Sequence, residues 1–217
     1  MTLHALPTSV EGFDAVEILV IDDGSTDGTV DAARRGGVKH IISLQEHRGL
    51  AKAFVTGLME SVKRGAWAIV NIDGDNQYQA DDIAKLVEPI ALEEVRVTIG
   101  ERPLRAIPWF GEVKKALHAL GNIVISKLTG LRIKDATSGF RAIRADLVPS
   151  LRIDSDYSYT IEMILRLAWS DEPIRFIPIR VNANVLRPSR LIRSNTQYIL
   201  KTIWIIFRCM ISKCKSR

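Results

Sequence analysis

Two carboxylates stand one residue apart at Asp73 and Asp75, and the amide Gln77 follows in the same step. Two carboxylates and an amide oxygen are hard ligands, suited to Mg²⁺ or Mn²⁺ carrying a diphosphate. An EF-hand loop also begins Asp-x-Asp, but it needs glycine at its sixth position, where this chain has Tyr78. The remaining alternative is a solvated turn, in which two neighbouring acids repel each other unless a cation neutralises them. A second acidic cluster, Asp22-Asp23-Gly24-Ser25, closes another apolar stretch. Asp22 or Asp23 could accept hydrogen bonds from a base or ribose. The same cluster also reads as a helix start, because Ser25, Thr26 and Asp27 are good caps.

Position gives these acids their meaning. The run Ala66 to Ile72 reads as a buried strand that empties into Asp73, and Val16 to Ile21 as a strand that empties into Asp22. Between them, a short helix through about Arg35, a strand from Lys39 to Leu44 and a helix with Leu50, Phe54, Leu58 and Val62 at i, i+4 spacing are expected. A helix over Ala80 to Ile90 and a strand over Val95 to Ile99 follow. Strands and helices thus alternate to about residue 100, the α/β pattern of a parallel sheet with crossover helices. Open sheets of that kind bind ligands beyond the carboxyl ends of their strands.

Beyond residue 100 the chain predicts a loop over Pro103–Trp109 and a long helix over Gly111–Leu128. A polar loop over Lys134–Arg141, a helix over Ser158–Trp169, a strand over Ile174–Val181 and a helix over Arg190–Ile211 complete it.

The net charge of +5 suits an anionic partner such as a phosphate-rich ligand or an acidic membrane surface. Aromatic residues make up only 6% and are not interleaved with basic ones, which argues against nucleic acid. Cys209 and Cys214 form neither a CxxC nor a zinc pattern, and the N-terminus has no signal-like apolar core. Reduced thiols in a cytosolic-facing protein are expected. No apolar run reaches the roughly 18 residues of a spanning helix.

Three motifs occur in order: Asp22 to Thr29, Asp73-x-Asp75-x-Gln77, and Asp135-Ala136-Thr137-Ser138-Gly139-Phe140-Arg141. In this the chain resembles the GT-A fold, family 2 glycosyltransferases, and most of all the polyprenol-phosphate (dolichol-phosphate) sugar transferases. The resemblance implies a Rossmann-like, mixed but mostly parallel sheet flanked by helices. It implies that Asp22 and Asp23 contact the donor nucleobase, and that Asp73, Asp75 and Gln77 hold a divalent metal and the donor diphosphate. Arg102, in Gly100-Glu101-Arg102, would face the donor, and the loop with Ser138 and Arg141 would shape the acceptor side. Asp75 and Asp135 are the catalytic candidates.

The basic segment Arg187-Pro188-Ser189-Arg190-Leu191-Ile192-Arg193 looks like the family's link to a C-terminal helix. Guanidinium groups at Arg187, Arg190 and Arg193 suit phosphate oxygens, with Ser189 beside them; a solvated basic face is the plainer alternative. The chain then divides into a GT-A domain over residues 1–189 and an amphipathic helix over 190–217. That helix suits a membrane interface, although core packing or a dimer contact would use the same pattern. A peripheral protein on the cytoplasmic face of the membrane is expected, with a homo-oligomer or a membrane-protein partner as further options.

The implied reaction moves a sugar from a GDP- or UDP-linked donor to a polyprenyl phosphate, with inversion. A phosphate monoester has a second pKa near ~6, so the acceptor is already an anion at neutral pH. A hydroxyl acceptor would need a base, and Asp135 is the first candidate. One departure stands out. The family opens with an apolar strand and a Pro-x-x-Asn-Glu-like turn that help to hold the nucleobase, and Met1 to Ala15 contain neither. Leu3 to Pro7 fits a remnant of the helix that follows. The chain is then expected to be a truncated version of a longer protein or a natural short form with an incomplete donor pocket. A noncatalytic, membrane-associated relative is the competing expectation.

Overall fold

The computed structural model describes residues 2–104, 107, 111–182 and 195–215. A short helix α1 (Thr2–Ala5) precedes β1 (Leu19–Asp22), α2 (Thr29–Arg35), β2 (His40–Ser43), α3 (Leu50–Lys63) and β3 (Ala68–Asn71). Then come α4 (Ile83–Ala91), β4 (Val97–Glu101), α5 (Glu112–Thr129), β5 (Arg141–Arg144), α6 (Thr160–Trp169), β6 (Ile174–Pro178) and α7 (Asn195–Lys215).

The described strands form two sheets. β1 and β2 pair in parallel, and a four-stranded sheet has the order β3-β5-β4-β6. β5 runs antiparallel to both β3 and β4, whereas β4 and β6 are parallel, so β5 is the reversed strand of its sheet.

The four-stranded sheet carries a core on each face, as a layered α/β domain requires. Side chains alternate along the strands: Ile143 joins Val97 and Ile99 on the face covered by α3, α5, α6 and α7, and Ala142 turns to the face covered by α4. The α4 stripe Ile83, Leu86, Val87 and Ile90 is buried at i, i+3, i+4, i+7 spacing. Phe54 of α3 stacks on Tyr159 with ring centroids 3.6 Å apart.

The expected alternation to residue 100 is present, with the first turn of the Ala80 helix wound as a 3₁₀ turn over Ala80–Asp82. The expected polar loop at Lys134–Arg141 is corrected at its end: Arg141 opens β5. Arg-Ala-Ile-Arg is too short and too polar at its ends to announce a strand. It is held by pairing on both edges rather than by its own pattern. Arg187, Ser189, Arg190 and Arg193 lie outside the described residues.

Candidate active site

β3 delivers Asp73 to the carboxyl end of the sheet. Asn71, its last residue, donates through Nδ2 to the Gly139 carbonyl at 2.7 Å and to Tyr159 Oη at 3.0 Å. This ties the Asp73 loop to the 135–140 loop. The loop then turns through Asn76, which has φ 63, a left-handed conformation that asparagine tolerates. Asn182 clamps it from beyond β6, donating to the carbonyls of Asn76 and Tyr78 at 2.8 and 3.3 Å.

Asp73 is pressed close to its surroundings: a Cβ at Gly139 would lie 3.0 Å from Asp73 Oδ2 and 3.1 Å from Tyr159 Oη. Burial, and then the charge of Asp75, push the Asp73 carboxyl up to about 6. Asp75 Oδ1 accepts from the Gln77 amide at 3.0 Å. Two carboxylates, one of them desolvated and repelled by the other, fit a hard divalent ion that draws its other ligands from water and phosphate. Among the described residues no third histidine, cysteine or acid joins them. The Gln77 amide oxygen is already engaged, accepting from Arg102 Nη1 at 3.2 Å.

Arg102 is the hub of the contacts beside these acids. Its Nε donates to Asp135 Oδ2 at 2.6 Å and its Nη2 to Asp135 Oδ1 at 3.0 Å, a two-pronged pair, and Nη2 also reaches Thr137 Oγ1 at 2.8 Å. Asp135 is fully buried. Against the cost of burial, the Arg102 charge and the hydrogen bonds from Arg102 and Thr137 hold its carboxyl below the usual carboxylate range. Both oxygens are used, since Oδ1 also accepts from the Thr137 amide at 3.2 Å and Oδ2 from the Arg102 amide at 3.3 Å. An acid so held has no free oxygen with which to take a proton.

Other expected site residues are engaged in building the site. Asp23 accepts from the Arg48 and Gly49 amides at 2.7 and 3.0 Å and pairs with His47 at 2.8 Å. It thus pins the turn that leads into α3 from 26 residues away, although α3 itself starts after Gly49 with no side-chain cap. The helix that follows the acidic turn, α2, likewise begins after Gly28 with no side-chain cap. Asp22 is buried and accepts from the Ser25 amide at 3.1 Å. The turn shows Ser25 and Asp27, rather than Asp22 and Asp23, to the open cavity.

Ser138 and Arg141, expected at the acceptor, are fully buried. The Arg141 guanidinium donates to the Ser138 and Ala136 carbonyls at 2.9 and 3.3 Å and lies 5.4 Å from the Tyr159 ring centre, so it shapes the loop from beneath. Asp73, Asp75, Gln77 and Arg102 do converge on one cavity of about 2170 Å³.

Tyr78, Tyr159, Asn71, Thr137, His118 and Asn182 complete the site without having been singled out in the sequence. Tyr78, whose Oη accepts from the Gly139 amide at 3.0 Å, directly follows Gln77 and could have been read from that position. Tyr159 and His118 carry no sequence signal, because only the packing of α6 and α5 brings them here. Burial lowers the pKa of His118.

The model of glycosyl transferase family 2 matches residues 2–152, well over half of the chain. The chain belongs to glycosyl transferase family 2. It is 27% identical over 202 residues to an undecaprenyl-phosphate mannosyltransferase from Micrococcus luteus, covering 88% of this chain and 81% of that one. A polyprenol monophosphomannose synthase from Mycolicibacterium smegmatis is 26% identical over 194 residues, covering 83% and 72%. Among solved structures, glucosyl-3-phosphoglycerate synthase from Mycobacterium tuberculosis in complex with phosphoglyceric acid superposes with a TM-score of 0.70. That match has 20% identity and covers 93% of this chain and 70% of that one. The same synthase with Mn²⁺, uridine-diphosphate-glucose and phosphoglyceric acid gives 0.68, with 19% identity and coverage of 94% and 71%.

These likenesses make the chain a glycosyltransferase of GT-A fold, close to the polyprenol-phosphate sugar synthases. Its last described helix, α7, packs Ile205 and Cys209 into the core and leaves Leu200, Ile203, Trp204, Phe207, Met210 and Ile211 exposed. Two of its lysines lie over aromatic rings of the body, Lys201 over Tyr157 and Lys213 over Trp169. No described helix is long and apolar enough to cross a membrane.

Proposed function

We propose that the transferase moves a sugar from a GDP- or UDP-linked donor to a polyprenyl phosphate, with inversion, at the wall formed by Asp73, Asp75 and Arg102. The observation that carries this reading is the state of Asp135. The acid placed to act as a base has both oxygens committed to Arg102 and Thr137. An acceptor that arrives as a phosphate anion needs no base. The names of the mannosyltransferase and mannose synthase relatives point to the same acceptor class.

Asp73 and Asp75 are the residues that would hold Mg²⁺ or Mn²⁺. When bound, such an ion supplies Lewis-acid stabilisation of the leaving diphosphate. Arg102 adds a fixed positive charge on the same wall, and Asp135 and Thr137 hold its fork in place before the donor arrives. Asp135 is thus a positioning residue, and the Asn71, Tyr78, Tyr159 and Gly139 contacts keep Asp73 aimed at the donor. The exposed apolar face of α7 is the surface we assign to a membrane interface, where the lipid acceptor resides. The protein is then peripheral on the cytoplasmic face, with residues 190–217 as its anchoring part.

The test is transfer of labelled sugar from GDP-mannose, UDP-glucose and UDP-N-acetylglucosamine to undecaprenyl phosphate in detergent, with and without Mn²⁺. Lipid-linked product that depends on Mn²⁺ and disappears in Asp75→Ala is expected. Transfer to a sugar hydroxyl in preference to the lipid phosphate would overturn the acceptor assignment.

A further inference from the structure

The chain keeps pairing past the end of β6. Glu101 lies opposite Pro178 where β4 and β6 run side by side, and the Ile179 amide then donates to the Glu101 carbonyl at 3.0 Å. The next three residues cross to the loop that carries Asp73, Asp75 and Gln77. The Gln79 amide donates to the Arg180 carbonyl at 3.5 Å, and Val181 faces Tyr78 in an antiparallel bridge. The Asn182 amide donates to the Gln77 carbonyl at 2.8 Å. One stretch, residues 174–182, therefore pairs first with the strand that delivers Arg102 and then with the acidic loop.

This stretch is held at both ends. A Cβ at Gly100 would lie 2.8 Å from Ile179 Cδ1, so β4 and the crossing segment are in close contact. Arg180 grips the fully buried Asp82 just past the loop, its amide donating to Oδ2 at 2.7 Å and its Nη2 to Oδ1 at 2.9 Å. From that frame the Asn182 side chain reaches across the loop. Its Nδ2 donates to the carbonyls of Asn76 and Tyr78 at 2.8 and 3.3 Å, so the amide and side chain of one residue bind three successive loop carbonyls. Arg102 Nη1, donating to Gln77 Oε1 at 3.2 Å, ties the loop to the β4 end a second time.

We propose that Asn182 is a positioning residue for the transfer, fixing the spacing between the acidic loop and Arg102. It acts through the loop carbonyls and not on the reacting atoms. The proposal rests on the reading of Asp73 and Asp75 as the residues that would hold the metal. Charges that stabilise a leaving diphosphate work only where its charge develops, and a misplacement of about 1 Å can cost about 100-fold. The residue type fits the task. A primary amide has two N–H donors for two carbonyls, whereas an ionised carboxylate of the same size has none.

Asn182→Ala and Asn182→Asp are compared with wild type and with Trp169→Phe. The last removes a single hydrogen bond, from Nε1 to the Leu128 carbonyl at 3.0 Å, at the far end of α6 from Tyr159. In metal-free protein, amide exchange over residues 74–79 should quicken about tenfold in both Asn182 variants and stay unchanged in Trp169→Phe. Calorimetric titration should show Mn²⁺ binding weakened by about tenfold. Initial rates should show kcat reduced by about 10–100-fold with the KM for undecaprenyl phosphate unchanged. The backbone bond from Asn182 survives both substitutions, so Tm should fall by only a few degrees, as in Trp169→Phe. Unchanged loop exchange, a loosened loop with wild-type Mn²⁺ affinity and kcat, or the same changes in Trp169→Phe would each overturn the proposal. A wild-type chain that binds no Mn²⁺ would overturn the metal assignment instead, and the metal-free exchange would still decide whether Asn182 orders the loop.

Discussion

Arg102 and Asp135 lie 33 residues apart in sequence and meet as a two-pronged ion pair, with Nε–Oδ2 at 2.6 Å and Nη2–Oδ1 at 3.0 Å. The acid is fully buried, and its charge is balanced chiefly through that contact and the Thr137 hydrogen bonds. Asp135→Asn keeps the shape and removes the charge, leaving Arg102 uncompensated. Breaking one side of a buried pair costs about 3–5 kcal/mol, which lowers Tm by about 10 °C in a chain of this size. Thermal unfolding at pH 7 checks this. Because the Asp135 pKa is depressed, the stabilisation is fully present above the unfolded carboxylate value and is lost as pH falls through the folded one. Wild type and variant should therefore converge in acid.

Asp73 shows the opposite sign. Its folded pKa is raised from 3.8 to about 6, so the native state binds more protons than the unfolded chain between those values. Its contribution to stability therefore falls as pH rises from about 4 through 6. In EDTA, Asp73→Asn should match wild type near pH 4 and melt progressively higher than wild type up to pH 7, then hold a constant gap. A gap that shrinks with pH would contradict the assignment of burial and Asp75 as the causes.

Asp75 accepts one backbone amide and contributes to no buried pair among the described residues. Asp75→Asn should leave Tm of the metal-free protein unchanged or slightly raised, because it relieves Asp73. It should abolish the Mn²⁺-dependent rise in Tm and reduce transfer by about 100-fold or more. Calorimetric titration with Mn²⁺ and an initial-rate assay read the two effects separately.

Gly139 is held to glycine by space. An alanine Cβ would fall 3.0 Å from Asp73 Oδ2 and 3.1 Å from Tyr159 Oη, both anchored groups. Gly139→Ala should cost about 1–3 kcal/mol and displace the Asp73 carboxylate. Reduced Mn²⁺ affinity together with a lower Tm is expected, whereas Gly28→Ala, where a Cβ meets nothing within 4 Å, should change neither.

The α7 face separates membrane contact from folding. Trp204 and Phe207 are 59% and 52% exposed, while Ile205 is buried against the body. Trp204→Ser with Phe207→Ser should reduce flotation on anionic liposomes by about tenfold and leave Tm unchanged. Ile205→Ser should lower Tm. Unchanged flotation in the double variant would exclude this face as the membrane surface.

The amino-acid sequence by itself determined what neighbouring residues decide. The apolar run that ends in Asp73-x-Asp75 and the buried stripes of α3 and α4 follow from local periodicity, because a strand or helix exposes its buried face in the order of its own side chains. The likeness to family 2 transferases rests on the same short motifs. Relations between distant segments were decided only in three dimensions. Asp23 pins the turn before α3, Asp135 is spent on Arg102, Arg141 is sealed beneath Tyr159, and β5 runs against its neighbours. A periodic pattern says that a face is covered; which atoms cover it depends on where the chain crosses itself.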